Sequence, residues 1–180
     1  PDEVESLIKM VRNIDIDLVA GGPPCQPFSR AGRAKIRSLV DQGVRDRNDQ
    51  RKELWRSFVR VVLALRPRTV LMENVPDMAI ADDLAVIREI AQMLEQNGYS
   101  VDYRLLDAWR CGVPQHRKRF ILQARRDGVA LNWPKPVHRI VTVYDAIGDL
   151  PRLGKGTGAR QMSYLPDSQS EFAKMLSEES

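Results

Sequence analysis

The sequence predicts an α/β protein with a doubly wound, largely parallel sheet. Up to about Ala124, segments with apolar residues at helical spacing alternate with short apolar, β-branched segments. After an opening helix their order is β-α-β-α-β-β, which is typical of a doubly wound sheet that closes with a hairpin. The first strand, Ile14–Ala20, runs directly into a turn of glycines and prolines, at the position where ligands bind in such sheets.

Three helices are predicted from apolar residues that recur on one side. The first ends near Asn13, and its apolar positions are Val4, Leu7, Ile8 and Val11. The second is capped near Asn48 or Asp49 and ends before Pro67. Its apolar stripe consists of Leu54, Phe58, Val61, Val62 and Leu65. The third, Asp83–Asn97, ends at an Asn-Gly pair, a favourable C-cap. Its predicted buried residues are Leu84, Ile87, Ile90 and Leu94.

Three further strands follow from runs of apolar and β-branched residues. They are Thr69–Val75, Tyr99–Asp107 and Arg119–Ala124. Between the first strand and the second helix, residues 29–48 hold many arginines and little apolar periodicity, so a long loop is expected there.

The pattern changes after Arg126. The segments there are a linker at residues 133–136, a short capped helix at Thr142–Leu150, a flexible glycine-rich stretch at 154–158 and a weak helix at 168–179. We therefore expect one domain segment over residues 1–126 and a different region over residues 127–180.

Composition points to an intracellular protein. The 180 residues are 43% hydrophobic and 29% charged, as in ordinary globular proteins. No apolar run approaches the roughly 20 residues that span a bilayer, and no signal peptide opens the chain. Two cysteines are too few for a disulfide framework, and the sequence assigns no metal site. The net charge is +4 with clustered arginines, which suits a phosphate backbone or, alternatively, a solvated surface.

The turn after the first strand, Gly21–Ser29, is the strongest candidate for chemistry. Two glycines free its backbone, two prolines fix it, and Cys25 lies at its tip. A thiolate at this end of a strand is placed to act as a nucleophile. The alternative is a structural cysteine in a stiff loop.

Two later segments supply polar groups. The second strand ends in Glu73-Asn74-Val75-Pro76, so Glu73 is expected beside Cys25 at the same edge of the sheet. The last strand opens with Gln115-His116-Arg117-Lys118-Arg119, where period two puts both arginines on one face, able to hold a carboxylate. Taken singly, these are also compatible with a solvated strand end and with a basic strand edge that resists pairing.

The three segments together resemble the DNA (cytosine-5) methyltransferase family, which carries Pro-Pro-Cys-Gln, Glu-Asn-Val and Gln-x-Arg-x-Arg in this order. The resemblance runs from about Ile14 to Leu150. It implies a Rossmann-like sheet of the class I S-adenosylmethionine-dependent methyltransferase type, with residues 1–126 as a catalytic core segment and 127–180 as a linker and the start of a target-recognition region. It also implies restriction-modification, methylation of cytosine C5, and extrusion of the base from the helix.

The resemblance assigns a role to each matching residue. Cys25 is the nucleophile, Glu73 binds cytosine N3, and Arg119 binds O2 while Arg117 orients its neighbours. The implied substrate contacts are Gln26, Ser29, Asn74 and Gln115, of which Asn74 organises its loop. Pro24 and Leu54 are the implied S-adenosylmethionine contacts.

Some features of the family have no counterpart in the sequence. The glycine-rich loop that holds S-adenosylmethionine and an acidic strand tip are absent, so we expect an incomplete cofactor pocket and a fragment, or one half of a split enzyme with a complementing chain. The expected partner is double-stranded DNA. The alternatives are a tRNA cytosine-5 methyltransferase and a catalytically silent DNA-binding relative.

Overall fold

The computed structural model describes residues 2–11, 13–24, 54–79, 84–165 and 170–178. The helices in these ranges are α1 (Asp2–Val11), α2 (Leu54–Leu65), α3 (Leu84–Gln96), α4 (Val143–Ile147) and α5 (Glu171–Glu178). The strands are β1 (Leu18–Gly21), β2 (Thr69–Asn74), β3 (Ser100–Asp107) and β4 (Lys118–Arg125). Short 3₁₀ turns follow β2 at Pro76–Ala79 and β3 at Ala108–Cys111.

The four strands form one mixed sheet in the order β1-β2-β4-β3. Strands β1 and β2 are parallel, with Leu18 opposite Thr69 and Gly21 opposite Met72. Strands β2 and β4 are antiparallel, with Asn74 opposite Phe120. The carboxyl ends of β1 and β2 and the amino end of β4 therefore lie at the same edge of the sheet. The predicted α/β fold class is confirmed.

One face of the sheet packs against α2 and α3. Alternate residues of the two central strands, Val70 and Met72 on β2 and Phe120 and Leu122 on β4, are completely or almost completely buried. They join the core with the helix residues Trp55, Val59, Val62, Ile87, Ile90 and Leu94. The intervening residues of β2 point to the opposite face, and among them Glu73 is exposed at the strand end.

Two elements differ from their prediction. Strand β1 begins at Leu18 rather than Ile14, although Thr69 N donates to Asp17 O at 2.8 Å, so this segment already runs beside β2. In α2 the buried residues are Trp55, Val59 and Val62. Of the predicted stripe, Val62 is buried and Phe58 packs partly buried against the core, whereas Leu54 is exposed. The large indole of Trp55 has the most apolar surface to bury, so the helix turns that side inward and leaves Leu54 38% exposed.

The chain forms two compact units. One contains Pro1–Leu106 and Lys118–Trp133, and the other contains Asp107–Arg117 and Pro134–Ser180. The predicted division into residues 1–126 and 127–180 stays a prediction. No helix in the described ranges is both long and apolar enough to span a membrane.

The second unit has locally stabilised helices. At the start of α4, the Thr142 side chain accepts from Asp145 N at 3.1 Å, and the Asp145 carboxylate accepts from Thr142 N at 2.8 Å. Arg139 pairs with Asp145 at 3.6 Å and with Glu171 of α5 at 3.0 Å. The glycine-rich stretch contains a turn in which Thr157 N donates to Gly154 O at 3.1 Å.

Gly21→Ala is expected to lower the free energy of unfolding by about 1–3 kcal/mol, the usual cost of overpacking. A Cβ on Gly21 would lie 2.8 Å from Cε2 of Phe58 on α2, so the ring would have to move. The measurement is denaturant unfolding of the chain and of Gly22→Ala, whose Cβ would meet its nearest atoms at an ordinary 3.4 Å. Equal stability of Gly21→Ala and the parent would show that Phe58 is not packed this tightly.

Candidate active site

Asn74 joins the ends of β1 and β2. Its side chain is nearly inaccessible, with the residue 3% exposed. Nδ2 donates to the carbonyl oxygen of Pro23 at 3.1 Å, and Oδ1 accepts from Val75 N at 2.9 Å. A buried amide must satisfy its polar groups, and this one does so by holding the turn after β1 against the end of β2. The role of Asn74 in organising a substrate-binding loop stays a prediction.

Glu73 lies beside the same turn. A Cβ built on Gly22 would be 3.4 Å from both the carbonyl oxygen and Oε2 of Glu73. Larger side chains at Gly22 would therefore extend into the surroundings of the Glu73 carboxylate. Gly22 thus faces the end of β2, whereas Gly21 faces Phe58 of α2.

Arg119 pairs with Glu73 on the exposed face of the sheet. Its Nε lies 2.6 Å from Oε1 of Glu73, and its Nη1 donates to Lys118 O at 2.7 Å. The pairing follows from register, because Glu73 is opposite Ile121 and Arg119 precedes Ile121 by two residues on the same face. The side chain of Glu73 is 48% exposed and that of Arg119 is 26% exposed, so the pair remains open to a ligand.

Gln115 and Arg117 belong to the second unit, and they precede β4 rather than opening it. The period-two argument therefore does not apply to them. Both side chains are exposed. The backbone of Arg117 is bonded at both polar groups: its N–H donates to Oδ1 of Asp107 at 3.0 Å, and its carbonyl accepts from Ala108 N at 3.1 Å.

Asp107 is a residue that the sequence did not reveal as a site candidate, since an acid at a strand end is common. Burial alone would raise the pKa of its carboxyl group. Hydrogen bonds from the Arg117 backbone and from the Trp109 and His116 side chains outweigh this effect, and the net pKa is lowered. The carboxylate is therefore ionised at neutral pH, and its interactions are lost only as the pH falls through that lowered pKa.

The remaining predicted residues divide into two groups. Pro24 is exposed after β1, and Leu54 is the partly exposed first residue of α2. Cys25, Gln26 and Ser29 lie outside the described residues. The structure thus brings together Glu73, Asn74 and Arg119 with the turn that leads to Cys25.

Comparison with known proteins identifies the family. Residues 2–174 match the family model for the C-5 cytosine-specific DNA methylase. The chain belongs to this family. A prophage-encoded E. coli protein assigned as a DNA modification methyltransferase has a similar crystal structure, with a TM-score of 0.60 and 25% identity, over 84% of this chain and 39% of that one. The Entamoeba histolytica methyltransferase EhMeth shares the fold, with a TM-score of 0.51 and 21% identity, over 73% of this chain and 39% of that one.

Curated relatives are similar in sequence. The type II methyltransferase M1.HphI of Haemophilus parahaemolyticus is 34% identical over 96% of this chain and 44% of its own length. The type II methyltransferase M.XorII of Xanthomonas oryzae pv. oryzae is 40% identical over 76% of this chain and 30% of its own length. The chain thus spans less than half the length of these relatives.

Asn74→Ala is expected to lower the free energy of unfolding by about 1–3 kcal/mol, because it leaves the buried Pro23 carbonyl without its donor. The matched control is Asn97→Ala, whose Nδ2 also donates to a backbone carbonyl, that of Met93 at 2.7 Å, but at an exposed site. Urea unfolding of the three proteins measures the difference. A similar small effect for both variants would contradict a special role for the Asn74 amide.

Proposed function

We propose that this chain carries the nucleophile and the base-binding groups of an enzyme that methylates C5 of cytosine in double-stranded DNA with S-adenosylmethionine. The observation that carries the proposal is the Glu73–Arg119 pair beside the turn that leads to Cys25, with Asn74 holding that turn in place. Membership of the cytosine-5 family supports it.

The reaction requires a nucleophile because C5 of cytosine is not reactive enough by itself. Addition of a thiolate to C6 forms a C6–S bond and makes C5 a nucleophilic, enamine-like carbon that takes the methyl group. Loss of the C5 proton and of the thiolate then restores the aromatic ring. Asn74 holds the carbonyl of Pro23, and Cys25 follows Pro23 by two residues in the sequence, so the nucleophile is proposed to come from the chain just past this anchored turn.

Glu73 and Arg119 are proposed to stabilise the pyrimidine as negative charge develops at N3 and O2. Arg119 is bonded to Oε1 of Glu73, which leaves Oε2, on the side of Gly22, to face the base. A proton held at that oxygen would be donated to N3. The Arg119 guanidinium has further N–H groups for O2, because a guanidinium carries five donors.

Pro24 and Leu54 are proposed to contact S-adenosylmethionine, which supplies an electrophilic methyl group on a sulfonium. Both side chains are apolar and at least partly exposed, which fits the apolar part of such a cofactor. As apolar side chains, they offer no hydrogen bond to its hydroxyl, amino or carboxylate groups. We therefore propose that they form an apolar wall and that other residues bind the polar groups.

DNA is favoured over tRNA as the substrate because the similar curated relatives are named type II methyltransferases. The test is to offer a labelled DNA duplex and a tRNA separately to a complete enzyme that carries these 180 residues, and to measure which of the two is methylated.

Cys25→Ser in such a complete enzyme is expected to abolish turnover, because an alkoxide is far harder to form than a thiolate at neutral pH. DNA binding should persist, since phosphate contacts dominate affinity. The assay is formation of a covalent adduct with a 5-fluorocytosine duplex, with Cys111→Ser as the control at the exposed free thiol. Turnover by Cys25→Ser, or loss of the adduct only in Cys111→Ser, would refute the assignment.

Glu73→Gln is expected to slow methylation by a factor on the order of 10² or more, the usual effect of losing a positioned proton donor. Base binding should weaken less because the amide has the same size. The matched control is Glu89→Gln on α3, which breaks a similar pair with Arg56 at 2.9 Å away from the strand ends. Equal rates for Glu73→Gln and the parent would remove Glu73 from the mechanism.

A further inference from the structure

The loop between β3 and β4 is organised around a single carboxylate. Asp107 is the last residue of β3, and its side chain is only 10% exposed. An ionised carboxylate in such a place must be compensated by donors. Its partners all come from the following ten residues: Arg117 N at 3.0 Å from Oδ1, His116 Nδ1 at 3.5 Å from Oδ2, and the Trp109 side chain.

The loop closes on itself through its backbone as well. Ala108 N donates to Arg117 O at 3.1 Å, and Val113 N donates to Ala108 O at 3.2 Å. The Trp109 and His116 rings pack against each other with centroids 5.1 Å apart. Gly112 has a φ of 87°, which a residue with a side chain rarely adopts, and it lets the chain reverse after the 3₁₀ turn.

This arrangement fixes the backbone of the loop but leaves two of its polar side chains without partners. In the described part of the chain, neither the Gln115 amide nor the Arg117 guanidinium has a hydrogen-bond or ion-pair partner within the molecule. Both are exposed. A carboxylate of low exposure that orders the backbone from which two unpaired polar side chains extend is an arrangement suited to a ligand, because the ordering cost is met before the ligand binds.

We propose that Asp107 is a positioning residue of the loop between β3 and β4: its carboxylate fixes the backbone at Arg117 and thereby sets the positions of the Gln115 and Arg117 side chains, which this loop offers to the DNA substrate. The inference rests on the proposed function and adds a residue to it. Asp107 itself touches neither the base nor the cofactor in this proposal, and it acts only through the loop.

The test compares Asp107→Asn with Asp102→Asn in a complete enzyme carrying these 180 residues. Asp102 is a matched control on the same strand, because it also accepts from an indole, that of Trp133 at 2.6 Å, but it ties down a different segment. At saturating duplex, Asp107→Asn is expected to slow adduct formation with 5-fluorocytosine about 10- to 100-fold, the scale of a small misplacement of reacting groups. KM for DNA should change little, and Asp102→Asn should react at the parental rate.

A second variant, Ala108→Pro, keeps the inference testable if Asp107→Asn does not fold. Ala108→Pro removes the donor to Arg117 O without changing the carboxylate. Proline is tolerated at the first position of a helical turn, and Asp107 has φ −111° and ψ 121°, which suits a residue before proline. It should also slow adduct formation with KM unchanged.

Hydrogen exchange at the Arg117 backbone amide measures how well the loop is ordered, independently of enzymatic activity. Asp107→Asn should accelerate this exchange in the 180-residue chain, and Asp102→Asn should not. Two outcomes for Asp107→Asn would overturn the inference and leave the proposed function unaffected. One is faster exchange with an adduct rate equal to that of the parent, and the other is an unchanged exchange rate. If the parent enzyme forms no adduct, the proposed function fails, and the inference about substrate positioning fails with it.

Discussion

A single buried amide connects the two strand ends on which the candidate site is built. Parallel pairing of β1 and β2 places both ends at one edge of the sheet, but pairing by itself leaves the turns free to diverge. The hydrogen bond from Asn74 to Pro23 removes that freedom. Because Asn74 lies on the buried face and Glu73 on the exposed one, adjacent residues of one strand have different surroundings: Asn74 orders the turn, and Glu73 stays accessible.

The pair formed by Glu73 and Arg119 is better understood as an orienting contact than as a source of stability. Exposed ion pairs contribute about 0.2–1 kcal/mol, and both side chains are accessible. Its geometry nevertheless fixes which carboxylate oxygen is engaged and which faces the turn. Asp107 differs, because its side chain is only 10% exposed and its carboxylate accepts from the Arg117 backbone and from the Trp109 and His116 side chains.

Much of this was predictable from the sequence, because strands with period-two burial end in recognisable turns. The Cys25 turn, the Glu73 strand end and Arg119 could be placed at one sheet edge from patterning and topology alone, and the structure places the Glu73 strand end and Arg119 there. The side of α2 that faces the core could not be predicted, because Leu54 and Trp55 are adjacent and only packing decides which of them is buried. The contact between Asp107 and the Arg117 backbone could not be predicted either, because a hydrogen bond between residues ten positions apart leaves no periodic signal in the sequence.

The register of β4 limits which substitutions the sequence of this strand can accept. A slip of one residue against β2 would send Arg119 to the buried face and Phe120 to the exposed one. What prevents the slip is the burial of Phe120, Leu122 and Ala124, none of which carries chemistry. The Glu73–Arg119 pair therefore depends on three apolar residues, and relatives in which polar residues replace them should lose this pairing although Glu73 and Arg119 are both still encoded.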